Sequence, residues 1–172
     1  TLAVNGVSLN IERGEVVGLL GHNGAGKTTL MKMLTGVLEP TKGTLSVAGN
    51  DLVEARIPAQ KHIGYLPESA PLYPEMGVYD YLILMADLRG VPKSEQQKRA
   101  SEAAIATGLE KRLAQPIREL SKGFRQRVGI AQAIVHNPDV LILDEPTNGL
   151  DPVQIESIRR LIQSLAERTT II

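Results

Sequence analysis

The sequence contains no cysteine and no tryptophan, a single phenylalanine and four tyrosines. Without cysteine there is no disulfide framework, which is compatible with a reducing compartment such as the cytosol. Aromatic residues make up only 3% of the chain, too few for a platform on which bases stack. Nineteen basic residues are matched by nineteen acidic ones, so the formal net charge is zero. No broad basic field advertises itself to nucleic acid, and nucleic acid is not an expected partner. No apolar run approaches the roughly 18 residues that span a bilayer, and no signal peptide is expected.

What is present fits one globular domain. The 172 residues are 42% apolar and 22% charged, enough for a sizeable core. The pattern along the chain predicts strands over residues 7–11, where apolar and polar positions alternate, and over the apolar run 16–20. A helix is expected over residues 27–35 and strands over 44–47 and Ile63–Leu66. Helical periodicity then dominates, with helices expected over 81–88, 95–107 and 124–136, punctuated by Pro92, Gly108 and Pro116. A buried strand is predicted over 139–143, an amphipathic helix over 153–168 and a further strand over 169–172. An α/β core interrupted by a helical insert follows from this order.

Between the apolar run and the first helix stands Gly21-His22-Asn23-Gly24-Ala25-Gly26-Lys27-Thr28-Thr29. Residues 21–28 match the pattern G-x-x-x-x-G-K-[ST]. A polyphosphate needs hydrogen-bond donors on many sides, and backbone N–H groups supply them only where side chains stay clear. Glycine at positions 21, 24 and 26 provides that clearance. A helix starting near Lys27 aims its positive end and its free N–H groups at the same point. Lys27 would reach the β- and γ-phosphates, and the Thr28 hydroxyl would ligate Mg²⁺. His22 fills a free position of the pattern. The plain alternative is a glycine-rich turn with a solvated lysine.

Val140-Leu141-Ile142-Leu143 runs into Asp144-Glu145. Such a strand is buried on both faces of a parallel sheet, and carboxylates at its C-terminal end sit where open α/β sheets bind ligands. Asp144 would hold the magnesium shell, and Glu145 could take a proton from an attacking water. Read alone, the pair is a strand followed by a solvated acidic turn. Leu120-Ser121-Lys122-Gly123-Phe124-Arg125-Gln126-Arg127 precedes it. Ser121 suits the N-cap of the next helix, and Ser121 with the Gly123 backbone would suit a phosphate. Read bare, this is a capped helix.

In combination these stretches resemble the ATP-binding subunit of an ABC transporter. GHNGAGKTT resembles the Walker A loop, LSKGFRQR the signature motif usually written LSGGQ, VLILDEP the Walker B strand with its catalytic glutamate, and Thr147–Asp151 the D-loop. The motifs stand in the family's order and cover the whole chain. The resemblance implies a P-loop NTPase core, a mainly parallel sheet flanked by helices, with an N-terminal antiparallel β portion and an inserted helical subdomain. Residues 1–76 and 137–172 would form the ATP-binding core and 77–136 the helical part, ending in the signature and its helix. The implied ligands are ATP and Mg²⁺. The implied nucleotide contacts are residues 21–29, Ser121, Gly123 and Asp151; the implied metal set is Thr28, Asp144 and Glu68; the implied catalytic set is Glu145, Lys27 and Glu68.

In the family two subunits face each other head to tail, so Ser121 and Gly123 would meet the γ-phosphate held by the partner. The implied partners are a transmembrane permease subunit and a second ATPase subunit, identical or paired. The implied location is the cytoplasmic face of the cell membrane. Three positions depart from the family pattern. Lys122 and Phe124 stand where the signature has glycine and glutamine, and Glu68 stands where a glutamine is usual. A carboxylate at 68 could still serve the metal or its water; the plain alternative is that it caps a turn. The adenine-stacking aromatic and the switch histidine of the family are expected outside residues 1–172, as for a domain trimmed at both ends. His22, His62 and His136 are expected at the surface or in loops. The Tyr65-Leu66-Pro67-Glu68 and Leu72-Tyr73-Pro74 pattern looks more like exporter-type systems than importers. Two other readings stand beside it: a soluble ABC ATPase without a membrane partner, and an unrelated P-loop kinase or GTPase. The second leaves LSKGFRQR and the D-loop-like run unexplained.

Overall fold

The computed structural model describes residues 2–172. Its centre is a parallel three-stranded sheet in the order β3 (Ile63–Leu66), β4 (Val140–Leu143), β5 (Thr170–Ile171). Ile63 pairs with Val140 and Leu66 with Leu143; Val140 pairs with Thr170. Successive side chains of β4 point to opposite faces. Leu141 and Leu143 accordingly join one apolar cluster, while Val140 and Ile142 join another. The cluster on one side takes Ile130 and Ala133 of α5 (Lys122–Ile134) and Ile158, Leu161 and Leu165 of α6 (Pro152–Ala166). On the other side Met31 of α1 (Lys27–Leu34) and Ala59 of α2 (Arg56–Lys61) cover Ile63 and Ile142. A sheet covered on both faces explains why four consecutive apolar residues form β4.

The small antiparallel sheet pairs β1 (Ser46–Val47) with β2 (Asn50–Asp51). The two-residue loop between them, Ala48-Gly49, has positive φ at both positions, 50° and 77°, as a tight hairpin of twisted strands demands. Between β3 and β4 lie α3 (Val78–Leu88), α4 (Lys93–Thr107), two short 3-10 turns (Glu110–Arg112 and Ile117–Glu119) and α5. These helices share a core of their own, with Val78, Tyr81, Leu82, Ala86, Ala100, Ala104, Leu109, Ile117 and Val128 buried. Alanines at the crossings allow close approach. Helix α5 belongs to both cores: Val128 and Ala131 face the helical cluster, and Ile130 and Ala133 face the sheet.

The capping chemistry is local. Ser121 sits in the extended region at the N-cap of α5 and its Oγ accepts from Phe124 N at 3.4 Å. Asp151 caps α6 through Gln154 N at 2.9 Å, with Pro152 following at the first helical position. Gly108, at φ 69°, ends α4 in the left-handed conformation.

Several expectations need correction. Residues 7–11 and 16–20 form no strand: Val7, Leu9 and Val16 are exposed and Leu20 is 97% exposed. Position 16 makes one parallel bridge to Ile171, with Val17 N donating to Ile171 O at 2.8 Å and Ile171 N to Glu15 O at 2.9 Å. Among the described residues the strand it pairs with is β5, which is two residues long, and no ladder extends along 18–20. Helix α2 was not foreseen, and the hairpin replaces the single strand expected over 44–47. His136 lies in the turn after α5, as expected, but is half-buried there: a ring nitrogen lies 3.0 Å from Ile63 O, and Nδ1 finds no partner among the described residues. His62 is tied to Asp139 at 2.6 Å, and Asp139 also meets Arg13 at 3.3 Å.

Candidate functional site

The glycine-rich loop leads directly into α1. Gly24 and Gly26 have φ of 82° and 89°, conformations that side chains with a Cβ resist. At Gly21 φ is ordinary, but a Cβ would come 3.2 Å from Ala25 Cβ and thicken the loop. At Gly26 a Cβ would overlap the Ala3 carbonyl oxygen, because the segment around Ala3 lies against the loop. Helix α1 has no side-chain N-cap bond and no acid in its first turn, so its first N–H groups are left to a ligand or solvent. Lys27 Nζ donates to Gly21 O at 2.6 Å and to His22 O at 3.1 Å. The ammonium is thus folded over the loop it would share with a phosphate. Gly21, His22, Asn23, Gly24, Ala25 and Thr28 are exposed, while Thr29 is half-buried.

The C-terminal ends of β3 and β4 lie side by side. Asp144 is 4% exposed, and its N–H donates to Leu66 O at 2.9 Å. Burial pushes its carboxyl above the usual carboxylate range. Glu68 and Glu145 push the same way, and Lys27 and Lys32 oppose them. The fold therefore brings Asp144 within electrostatic reach of the loop lysine, of the first helix and of both neighbouring acids. Glu145 is exposed with φ 48°, at the head of a turn closed by Asn148 N donating to Glu145 O at 3.0 Å. Glu68 is exposed and its Oε1 accepts from Asn148 Nδ2 at 3.0 Å.

No three acidic or histidine side chains converge at metal-holding distance among the described residues. Mg²⁺ bound with a nucleotide takes one or two carboxylates, a hydroxyl, phosphate oxygens and water, not an all-protein cage. The hard oxygen donors Thr28, Asp144 and Glu68 fit it.

Ser121 is exposed and Gly123 is buried, where a Cβ would come 3.1 Å from the Gln154 side chain. Among the described residues no hydrogen bond or ion pair joins residues 121–123 to residues 21–29. The Asp151 carboxylate is engaged as the cap of α6. Two features escaped sequence reasoning. Asn148 stood within the D-loop-like run but was given no role. Lys122, the odd residue of the signature-like stretch, lays its ammonium against Gly149, whose φ is 66°. Contacts between segments so far apart leave no local pattern to read.

No helix among the described residues is long and apolar enough to cross a membrane. Comparison with known proteins agrees with the geometry. The profile of the ABC transporter family matches residues 4–148. The chain is 37% identical over 169 residues to the bacitracin transport ATP-binding protein BcrA of Bacillus licheniformis, covering 98% of this chain and 54% of that protein. It is 40% identical over 172 residues to the ABC transporter ATP-binding protein NatA of Bacillus subtilis, covering 99% of this chain and 70% of that one. The chain thus spans about half to two thirds of the length of these relatives. Among solved structures, cbiO1 of Clostridium perfringens, part of the ABC transporter complex cbiONQ, superposes with a TM-score of 0.88 at 34% identity, covering 99% of this chain and 70% of that one. An ATP-binding cassette in a dimeric post-hydrolysis state bound to ADP and Pi superposes with a TM-score of 0.84 at 28% identity, covering 98% and 78%. On the family profile and on these relatives together, the chain belongs to the ABC transporter family as its ATP-binding domain.

Proposed function

We propose that this chain binds ATP with Mg²⁺ on residues 21–29 and hydrolyses it between two subunits, driving transport of a substrate, outward, through a membrane permease. The observation that carries the reading is the left-handed glycine loop running into the uncapped start of α1, with Lys27 folded over it, on the same sheet whose β4 ends in the buried Asp144. Backbone N–H groups of the loop and the start of α1 would hold the phosphates, with Lys27 neutralising the β- and γ-groups. Thr28, Asp144 and Glu68 would hold the magnesium, which when bound offsets charge on the transferring phosphoryl group.

Glu145 stands two residues beyond the buried strand, exposed, and would accept the proton of the attacking water at its carboxylate. Ser121 and the Gly123 backbone, with no bond to their own chain's loop among the described residues, would close on the partner's γ-phosphate. Asp151, which caps α6 through Oδ1, would meet nucleotide at that interface with its remaining acceptor capacity. The dimeric cassettes among the solved structures support this head-to-tail reading. Transport names among the relatives, bacitracin for BcrA and multidrug for YbhF of Escherichia coli, support a permease partner and outward direction. The region from Glu68 to Tyr81, between the two cores, would face that permease on the cytoplasmic side of the membrane.

The test is an ATP titration by calorimetry of the wild type and Lys27→Ala with Mg²⁺. Losing a charge-assisted contact should weaken affinity by about 10- to 100-fold. Unchanged affinity together with unchanged phosphate release would return residues 21–29 to a plain loop.

A further inference from the structure

The Asn148 side chain ties the two acid-bearing loops together. Its Nδ2 donates to Glu68 Oε1 at 3.0 Å, across 80 positions of sequence. Its own N–H donates to Glu145 O at 3.0 Å, closing the turn on which Glu145 sits. Glu68 follows β3 by two residues and Glu145 follows β4 by two, and the two strands are paired in register at Leu66 and Leu143. The side chain of Asn148 therefore spans the gap between adjacent strand ends at the level of Asp144.

The chemistry of the pair is directional. An ionised carboxylate only accepts hydrogen bonds, and an amide NH₂ only donates. Three carboxylates, Glu68, Asp144 and Glu145, crowd this end of the sheet, close enough that the first and third act on the second. Asn148 is the neutral donor among them. Both members of the pair are exposed, so the bond adds little to stability. Its consequence is positional: it fixes where the Glu68 carboxylate stands relative to the Glu145 turn.

We infer that Asn148 is a positioning residue for the hydrolysis proposed above, acting through its side-chain hydrogen bond to Glu68 and so holding the loops after β3 and β4 in one geometry. The inference rests on that functional reading. It does not require Asn148 to touch nucleotide, and a change there leaves ATP affinity alone while lowering turnover.

The test is a donor–acceptor exchange in the full-length chain. Asn148→Asp sets two carboxylates face to face, and Glu68→Gln with Asn148→Asp restores the bond with its direction reversed, Gln donating to Asp. Steady-state phosphate release, ATP affinity by calorimetry and thermal unfolding are measured for the wild type, both single variants and the pair. Asn148→Asp should lower kcat about tenfold with KM for MgATP within about twofold, and the pair should recover several-fold over Asn148→Asp, within the coupling seen between contacting residues. Unfolding temperatures should agree across the set, which separates positioning from damage to the fold. Turnover of Asn148→Asp equal to wild type, or a pair whose loss is the product of the single losses, overturns the inference while leaving the functional reading intact. A wild-type chain that binds no ATP and releases no phosphate overturns both.

Discussion

Replacing Gly64 by alanine tests how the signature-bearing helix is seated on the nucleotide-binding sheet. Gly64 is buried in the middle of β3, and a Cβ there would overlap the Ala133 carbonyl oxygen of α5 and come 2.9 Å from Pro138 Cγ. The obstructing atoms are backbone and a proline ring, which cannot swing aside as a flexible side-chain end would. Overpacking of this kind costs about 1–3 kcal/mol. Alanine regains roughly 0.5–1 kcal/mol by restricting the unfolded chain. With rigid neighbours the upper part of the range applies, for a net loss of about 2 kcal/mol. For a domain of this size that lowers Tm by roughly 4–8 °C. The same shift pushes α5 off β3, moving Ser121 and Gly123 relative to Asp144. Thermal unfolding followed by circular dichroism is the assay, with Gly18→Ala as the control, because a Cβ at Gly18 meets nothing within 4 Å. A Gly64→Ala variant that melts within about 1 °C of wild type would refute the reasoning that α5 rests on β3 through backbone contact.

Burial pushes the His136 imidazole down to about 4, with Arg89 acting in the same direction and the bond to Ile63 O opposing. The unfolded chain, with histidine near its ordinary value, then binds more protons than the folded one between pH about 6.5 and 4. Stability should be full above that window and fall by on the order of 2–3 kcal/mol as pH drops through it; an acid titration of Tm with the same slope in His136→Gln would exclude His136 as the source. Asp151→Ala removes the N-cap of α6 and should cost about 1 kcal/mol, while Asp151→Asn, which can still accept from Gln154 N, should cost much less; equal melting temperatures for the two would show the cap to be idle.

The glycine loop, the helix after it and the buried strand ending in an acid are legible from residue order alone. Glycines at 21, 24 and 26 and acids after an apolar strand have fixed spacings because the chemistry needs them, and the loop, α1, β4 and Asp144 all stand where that spacing puts them. Helices α3 to α6 were legible from their periodicity, with starts moved by two or three residues for α3, α4 and α5. Residues 7–11 and 16–20 misled because alternation shows which face a strand would bury, not whether a partner strand is there. One bridge to Ile171 is all that position 16 finds. Helix α2 was missed because a six-residue segment containing Pro58, with only Ala59 fully buried, carries too little pattern. Glu68 meeting Asn148, and Lys122 lying against Gly149, depend on tertiary neighbours far apart in sequence.

In the function proposed here, two such chains close on ATP and reopen only after Glu145 has helped to hydrolyse it. Glu145→Gln keeps the shape of the side chain and removes the base, which should slow phosphate release by roughly 10²–10⁴-fold. Sedimentation of this variant in full-length protein, with saturating MgATP and separately with MgADP, measures the claim directly. The expected result is a dimer with MgATP and a monomer with MgADP. A variant that stays monomeric in MgATP while hydrolysing it at the wild-type rate would contradict it.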